Sequence, residues 1–551
     1  MSMHKLINYI DQRILRVLTL LFLIIIPLYP KFPLMSLNNT HISIRLEDLY
    51  VGLMSFVFGI QILRRKVTFD RFFLKYILIF WAVCICSFML NAFLTKKIAF
   101  TNQGLLHTLR RVEYMIPFFV AYTAFVSEKI IGIKDTAIKH LDRYLYLVLT
   151  VVLIICLYAL GQKSSELFQP VRNFFQSIFE TNTGIVSSVA YVIFKFFDFP
   201  AVQTMNAEFA KGELLILTPF ARVSSTFAGH YDLAAYLVFF IPLLAAYIIR
   251  GTHRVRSIVT YVLAILTLIF TASRISFGAY VSSIVLFGVY TRKWKLLFGT
   301  ILLTSILMYT NSDMTQRFRD MFQQRQVFEN TRTGEEIINQ DESNQTLPAG
   351  SQFIRSGKGS SITANSKALN EYKQELIRKE IDEARKGGRV ITQQEAADIV
   401  AKKYINDFKD IVVKNVVAGD TSLATRTQVE WPRALNAFLS NPLLGTGPSS
   451  ITESTDGDFF RWLGETGLLG AGLFTFILAH LFIRIYKHVL NTRSHDKYLF
   501  IGVCTGMIAL VINATLIDVF EASKVAFTFW TVMGLVIAAI DRETHQASSH
   551  V

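Results

Sequence analysis

The sequence predicts an all-α polytopic membrane protein of about 12 transmembrane helices, with a large extracytoplasmic loop between spans 9 and 10. Three observations predict it. Hydrophobic residues make up 52% of the 551 positions and charged residues only 18%, below the roughly one quarter usual for soluble domains. Mean hydropathy is +0.39. Apolar runs of roughly 17–22 residues, the length that crosses a hydrocarbon core, recur along the chain.

The runs lie near 15–32, 47–63, 73–94, 112–127, 144–161, 232–249, 257–272, 276–291, 295–311, 463–483, 498–516 and 524–540. No small-residue cleavage site follows the first, so it reads as a retained anchor rather than a removed signal peptide. If the N-terminus is cytoplasmic, the inner connections 64–75, 128–143, 250–256, 292–295 and 484–497 are each basic. The outer connections 31–46, 271–275 and 517–524 carry few positive charges, as the positive-inside rule requires. Both termini are then cytoplasmic. The net charge of +15 follows largely from this topology, and no nucleic-acid partner is called for. The outer connection 95–111 departs from the rule, with Lys96, Lys97, Arg110 and Arg111 flanking it. It suits lipid headgroups or an anionic ligand. The four cysteines, Cys84, Cys86, Cys156 and Cys504, fall inside spans and read as small buried hydrophobes.

Five stretches organise the chain: spans 1–5 in 1–161, an amphipathic outer segment in 162–231, spans 6–9 in 232–311, a large outer loop in 312–462, and spans 10–12 in 463–541. The first outer segment holds "FQPVRNFFQSIFE" and "VAYVIFKFFDF", which suit the interface plane or a short re-entrant piece. In the large loop, "TRTGEEIINQDESNQTLPAGSQFIRSGKGSSITANS" is polar and Gly/Ser-rich and reads as a linker. "KALNEYKQELIRKEIDEARKGG" predicts a charged helix stopped at Gly387. Thr392 and Glu395 have capping-box spacing and open a second helix to about Asn415. Pro432 suits a helix's first turn. Asn441-Pro442 suits a helix end.

At the outer level, charged clusters stand at several span ends. "RVSSTFAGHYDLAAYLVFF" places Arg222, three hydroxyls, His230 and Asp232 before the sixth span. "TASRIS" places Arg274 in a very short turn between spans seven and eight. Arg426, Glu430 and Arg433 precede "GTGPSS", and Asp456, Asp458, Arg461 and Glu465 stand at the tenth span. Arg111 can join them. A guanidinium's planar fork suits phosphate oxygens, although one arginine alone can simply snorkel to headgroups. His230, Asp458 and Glu465 are candidate proton acceptors, or partners for backbone and arginines. Ser224, Ser225 and Thr226 are hydroxyl donors or caps of the sixth span. A bare G-x-G is a turn before it is a phosphate site. Paired halves and ionisable chains inside the spans, the marks of a transporter, are missing from this reading.

The ordered pieces "RVSSTFAGHYDLAAYL", "TASRISFGAYV" and "PRALNAFLSNPLLGTGPSS…DGDFFRWLGETGLLGAGLF" resemble the O-antigen ligase and O-antigen polymerase (Wzy/WaaL-like) superfamily, over about 220–474. The resemblance implies a GT-C-like membrane glycosyltransferase of the cytoplasmic (inner) membrane. Its donor would be an undecaprenyl diphosphate-linked glycan, and its acceptor a hydroxyl on a glycan or glycolipid at the outer face. It implies no nucleotide sugar, metal or other cofactor. By the same resemblance Arg222 and Arg274 grip the diphosphate, with Arg426, Arg433 and Arg111 as further binding candidates. Asp458 is the first candidate base, His230 the second, and Glu465 a third catalytic candidate. Ligases carry a histidine after the G-x-G loop; this chain has none between Gly445 and Gly470. A lipid-linked oligosaccharide flippase and a non-catalytic membrane scaffold stand as the alternatives.

Overall fold

The computed structural model describes residues 3–30, 33–36, 43–127, 137–167, 169–181, 186–188, 190, 222–309, 324–330, 336–337, 351–354, 367–386, 391–403, 411–420, 426–451, 456–492 and 494–549. The chain divides into two compact units, Met1–Met314 with Glu430–Val551, and Thr315–Val429.

The first unit opens with α1 (Met3–Leu28), a short hairpin of β1 (Pro33–Ser36) and β2 (Ser43–Arg45), α2 (Leu46–Leu63) and α3 (Arg71–Met89), which a π turn prolongs to Leu94. Next come α4 (Thr101–Val126), α5 (Ala137–Leu167), α6 (Gln169–Thr181), α7 (His230–Arg250), α8 (Arg254–Phe270), α9 (Arg274–Thr291) and α10 (Trp294–Tyr309). A described helix stands at or across each of the first nine predicted spans. The stretch "VAYVIFKFFDF" lies largely outside the described residues.

The second unit holds β3 (Gln324–Asn330), β4 (Glu336–Ile337), β5 (Ser351–Ile354), α11 (Lys367–Lys386), α12 (Gln393–Lys403) and β6 (Ile411–Asp420). The strands form an antiparallel sheet in the order β4-β3-β6-β5. The capping box opening α12 is present. The Thr392 N–H donates to Glu395 Oε2 at 2.8 Å, and the Glu395 N–H to Thr392 Oγ1 at 3.3 Å. The bonds that the Thr392 N–H and hydroxyl donate to its carboxylate hold Glu395 below the usual range. The predicted extension of this helix to Asn415 is corrected: α12 ends at Lys403, and 411–420 is a strand. Its "IVVKNVV" core is β-branched and pairs along the whole of β3, so tertiary pairing overrides the helical reading. A small core of Ile377, Ala396 and Val400 joins α11 to α12.

The first unit resumes with α13 (Trp431–Ser440), α14 (Asp458–Asn491), α15 (Lys497–Ala514) and α16 (Ser523–Ser549). Among the described residues eight helices are long and apolar enough to cross a membrane: α2, α3, α5, α7, α9, α14, α15 and α16. Of the other helices at predicted spans, α8 and α10 have 17 and 16 residues. The first half of α4 carries His107, Arg110, Arg111 and Glu113, and α1 carries Asp11, Arg13 and Arg16.

The centre of the bundle is α16, against which α1, α4, α5, α7 and α14 pack. Its span is wholly buried although it is as apolar as helices that face lipid. Close approach makes this possible. A Cβ added at Gly534 would sit 2.3 Å from the Phe118 carbonyl oxygen of α4, so a small residue is needed at that crossing. Rings continue the core: Phe118, Trp530, Phe474 and Trp462 stand in sequence, the last pair with centroids 3.6 Å apart. In contrast, Leu53 and Phe56 on α2 and Phe298 and Leu302 on α10 are exposed, which suits contact with acyl chains.

Candidate active site

The end of the bundle where α7 begins gathers most of the charged clusters anticipated from the sequence. The segment 222–229 is packed rather than loose. Ser225 donates from Oγ to the Ile155 carbonyl at 2.8 Å, and its N–H donates to Gln162 Oε1 at 2.7 Å, both on α5. Thr226 Oγ1 donates to the Pro27 carbonyl of α1 at 2.6 Å. These hydroxyls neither cap α7, whose first turn follows Gly229 without a side-chain cap, nor point to open space. They tie the approach to two neighbouring helices. Arg222 Nη1 lies 2.6 Å from His230 Nε2, across the first turn of α7.

The same segment touches the "TASRIS" turn. The Val223 N–H donates to the Phe270 carbonyl, the last residue of α8, at 3.3 Å. Residue 222 is thus one step from that contact and residue 274 four steps beyond it. Arg274 opens α9, and its side chain is half-buried. The hydroxyls of the turn are used locally: Thr271 Oγ1 donates to the Leu268 carbonyl at 2.6 Å, and Ser273 caps α9 by accepting from the Ser276 N–H. These hydroxyl bonds fix the backbone of the turn and of the approach, the segments that carry Arg274 and Arg222.

Arg111, Glu465 and Asp458 behave differently. Arg111 on α4 pairs with Glu465 on α14, and through Nε with Glu521 Oε1 at 3.0 Å. Trp462 Nε1 donates to the same Glu521 oxygen at 2.9 Å. Glu465 Oε1 accepts from the Ser449 N–H at 2.9 Å. Arg461 Nη2 meets Asp518 Oδ2 at 2.8 Å. Burial alone would raise the Glu521 carboxyl, but Arg111 and Arg461 overcome it and hold it at about 2. Asp458 is fully buried, and its Oδ2 accepts from the Val519 and Phe520 N–H groups at 2.7 and 3.0 Å. An acceptor sugar cannot reach a carboxylate with no exposed surface. The geometry makes Asp458, Glu465 and Arg111 a clasp on the 515–522 loop, in place of the substrate-facing roles expected of them.

The G-x-G loop is likewise structural. The Thr446 and Gly447 N–H groups donate to the Gly464 and Glu465 carbonyls at 2.9 Å each, and Leu468 and Leu469 donate back to Pro442 and Leu443. The loop thereby pairs with a break in α14 at Gly467, where φ is 64°. A Cβ at Gly467 would lie 2.4 Å from the Leu443 carbonyl carbon, and one at Gly445 2.5 Å from that of Glu465. With its central N–H groups engaged, the loop is not a phosphate cradle.

Of the remaining candidates, Arg433 lies in the first turn of α13, beside Pro432. Trp431 of that turn stacks on Phe460 of α14 with centroids 4.5 Å apart. Arg426 belongs to the second unit. Among the described residues no group of three or more His, Cys, Asp or Glu side chains is arranged to hold a metal ion.

Two residues escaped the sequence reading. Lys524 is 1% exposed, and its Nζ donates to the Tyr29 and Thr226 carbonyls at 2.6 Å each and to Pro27 at 3.2 Å. It pins the 222–229 segment to α1 and α16. The sequence signal was the run Asp518, Glu521, Lys524, with ionisable groups at every third position of a short loop between two apolar spans. Glu113 is the other. It is half-buried on α4 with Asp48, Arg110 and Glu47 as charged neighbours, and its carboxylate has no hydrogen bond or ion pair among the described residues. A carboxylate at a span's edge is a functional candidate by default. For Lys524→Met, the orphaned carbonyls are expected to lower stability by at least about 1–3 kcal/mol. Faster hydrogen exchange across 223–229 than in the wild type checks this.

Residues 259–514 match the O-antigen ligase family (Wzy_C). The match takes in Arg274 and the whole of α9 to α15, and begins after Arg222 and His230. No curated protein matches the chain. Residues 259–514 are thus similar to the O-antigen ligase family, which supports the resemblance to the O-antigen ligase/polymerase superfamily.

Proposed function

We propose that the protein transfers or polymerises a glycan from an undecaprenyl diphosphate carrier onto an acceptor hydroxyl, at the outer face of the cytoplasmic membrane. The observation that carries this reading is the Val223–Phe270 bond, which brings two arginine-bearing segments distant in sequence to one end of an apolar bundle. Arg222 and Arg274 would bind the diphosphate there. As the bond from the anomeric carbon to the phosphate oxygen breaks, negative charge grows on the leaving group. Fixed guanidinium groups stabilise that charge more than the ground state, which is what accelerates a reaction. Arg433 would extend the basic surface. No metal is needed when two permanent cations supply this stabilisation.

The acceptor hydroxyl must lose a proton. His230 Nε2 is occupied by Arg222, and Asp458 by two backbone N–H groups. Glu113 has neither restraint. In this reading Glu113 takes the proton, with Arg110 orienting it. The 222–229 segment reaches this side through Lys524, whose neighbour Ser523 donates from Oγ to Glu47 Oε1 at 2.6 Å.

The glycan profile of a strain lacking the protein tests the reading. Single unpolymerised repeats mean a polymerase, and full-length chains stranded on the carrier mean a ligase. A profile identical to the parent's overturns it.

A further inference from the structure

The opposite end of the first unit holds a cavity that the proposed reaction does not use. It measures about 220 Å³ and is lined by Lys139, Asp142, Arg143, Tyr146, Tyr247, Thr252 and His253. It lies where α7 gives way to α8. The 21 residues of α7, at about 1.5 Å rise each, separate it from His230 by about 30 Å.

We propose that this cavity binds a phosphate group carried by the headgroup of an anionic phospholipid. The charge arrangement is the first argument. Asp142, the one carboxylate in its lining, has both oxygens on Arg250, at 2.6 and 2.9 Å, and Tyr247 donates to it at 2.9 Å. Arg250 also reaches Asp496 at 2.6 Å. Asp142 is therefore engaged inside the protein, and Lys139 and Arg143 outnumber it in the lining. Aromatic support is the second. Arg256 lies 4.1 Å above the Tyr146 ring and also bonds Thr150, and His253 rests on the same ring at 4.2 Å. The Tyr146 side of the wall is thus packed between Arg256 and His253, and Lys139 and Arg143 stand exposed at the cavity. His253 adopts a left-handed φ of 50°, following Gly251 at 75°. A non-glycine residue in that region is strained, and such strain clusters at binding sites. The size is the third. Pockets that enclose whole drug-sized ligands span about 300–1,000 Å³. A smaller basic space between helix ends suits a headgroup with its acyl chains left in the bilayer. Basic pockets of this kind on the cytoplasmic side hold anionic lipid heads, and the Lys/Arg distribution assigns this end to that side.

The full-length protein, purified in detergent, tests the site by native mass spectrometry and thermal unfolding. The probes are phosphatidylglycerol, phosphatidylcholine and inorganic phosphate. Phosphatidylglycerol is expected to be retained and to raise the unfolding temperature, and phosphatidylcholine to do neither. In the double variant Lys139→Ala/Arg143→Ala, phosphatidylglycerol binding should weaken roughly 30-fold, for two cations near the membrane surface. The control Arg64→Ala/Arg65→Ala removes two cations at the same end, outside the cavity, and should retain the lipid. An equal shift with inorganic phosphate, lost in the same double variant, assigns the site to a free phosphate instead of a lipid head. Equal weakening in the control, or no effect of either anion on the wild type, overturns the proposal. A His253→Gly variant guards against misfolding, since it relieves the strained backbone. It should be at least as stable as the wild type without lipid and gain less from phosphatidylglycerol.

Discussion

Arg222→Ala and Arg274→Ala are each expected to reduce glycan transfer by about 10²–10³-fold or more, the effect of removing one preorganised donor from a developing anion. Both proteins should reach the membrane in normal amount. Arg222 is half-buried with His230 as its partner, and Arg274 stands at a helix start already capped by Ser273. Arg→Lys at either position should recover little, because a point charge replaces a planar fork that can hold two phosphate oxygens at once. Transfer assayed with purified protein and a carrier-linked donor decides the matter. Wild-type rates in both alanine variants would remove the diphosphate clamp.

Arg111→Met is expected to act in the other way, on folding rather than on turnover. The guanidinium stands between Glu465 and Glu521, and all three side chains are at most 7% exposed. Breaking a buried pair from one side leaves an uncompensated charge and costs about 3–5 kcal/mol. Here two carboxylates lose their partner together. The variant should be scarce in membranes and unfold at lower temperature in detergent. Adding Glu465→Gln should restore part of the loss by removing one stranded charge, whereas two independent destabilisations would simply add. This contrast separates Arg111 from Arg222 and Arg274, although all three are arginines on the same end of the molecule.

Much of the helical frame was legible from apolar run length alone. A crossing helix must satisfy its backbone internally and cover about 30 Å of hydrocarbon, so "YLVFFIPLLAAYII" admits few other readings. The turn chemistry was local enough to read as well: Thr392 with Glu395, Pro432 in the first turn of α13 and Asn441 after its last residue all stand as their spacing suggests. The strand at 411–420 was not legible, because its partner β3 lies more than eighty positions earlier. Nor was the division of labour among the charged groups. Asp458 and Glu465 read as exposed helix-mouth acids in a linear chain; only α4 and the 515–522 loop, folded against them, enclose them.

By itself the sequence determined an apolar, largely helical chain, where most of its helices lie and the short list of charges at their ends. Those properties depend on composition and on neighbours within one or two turns. Only the tertiary structure decided which of these charges face each other and which stay accessible. Burial and pairing depend on helices that are remote in the chain and adjacent in space. The segment that carries Arg222 meets the end of the helix before Arg274 through a backbone bond between Val223 and Phe270, and Lys524 holds that approach from a helix nearly three hundred residues further on.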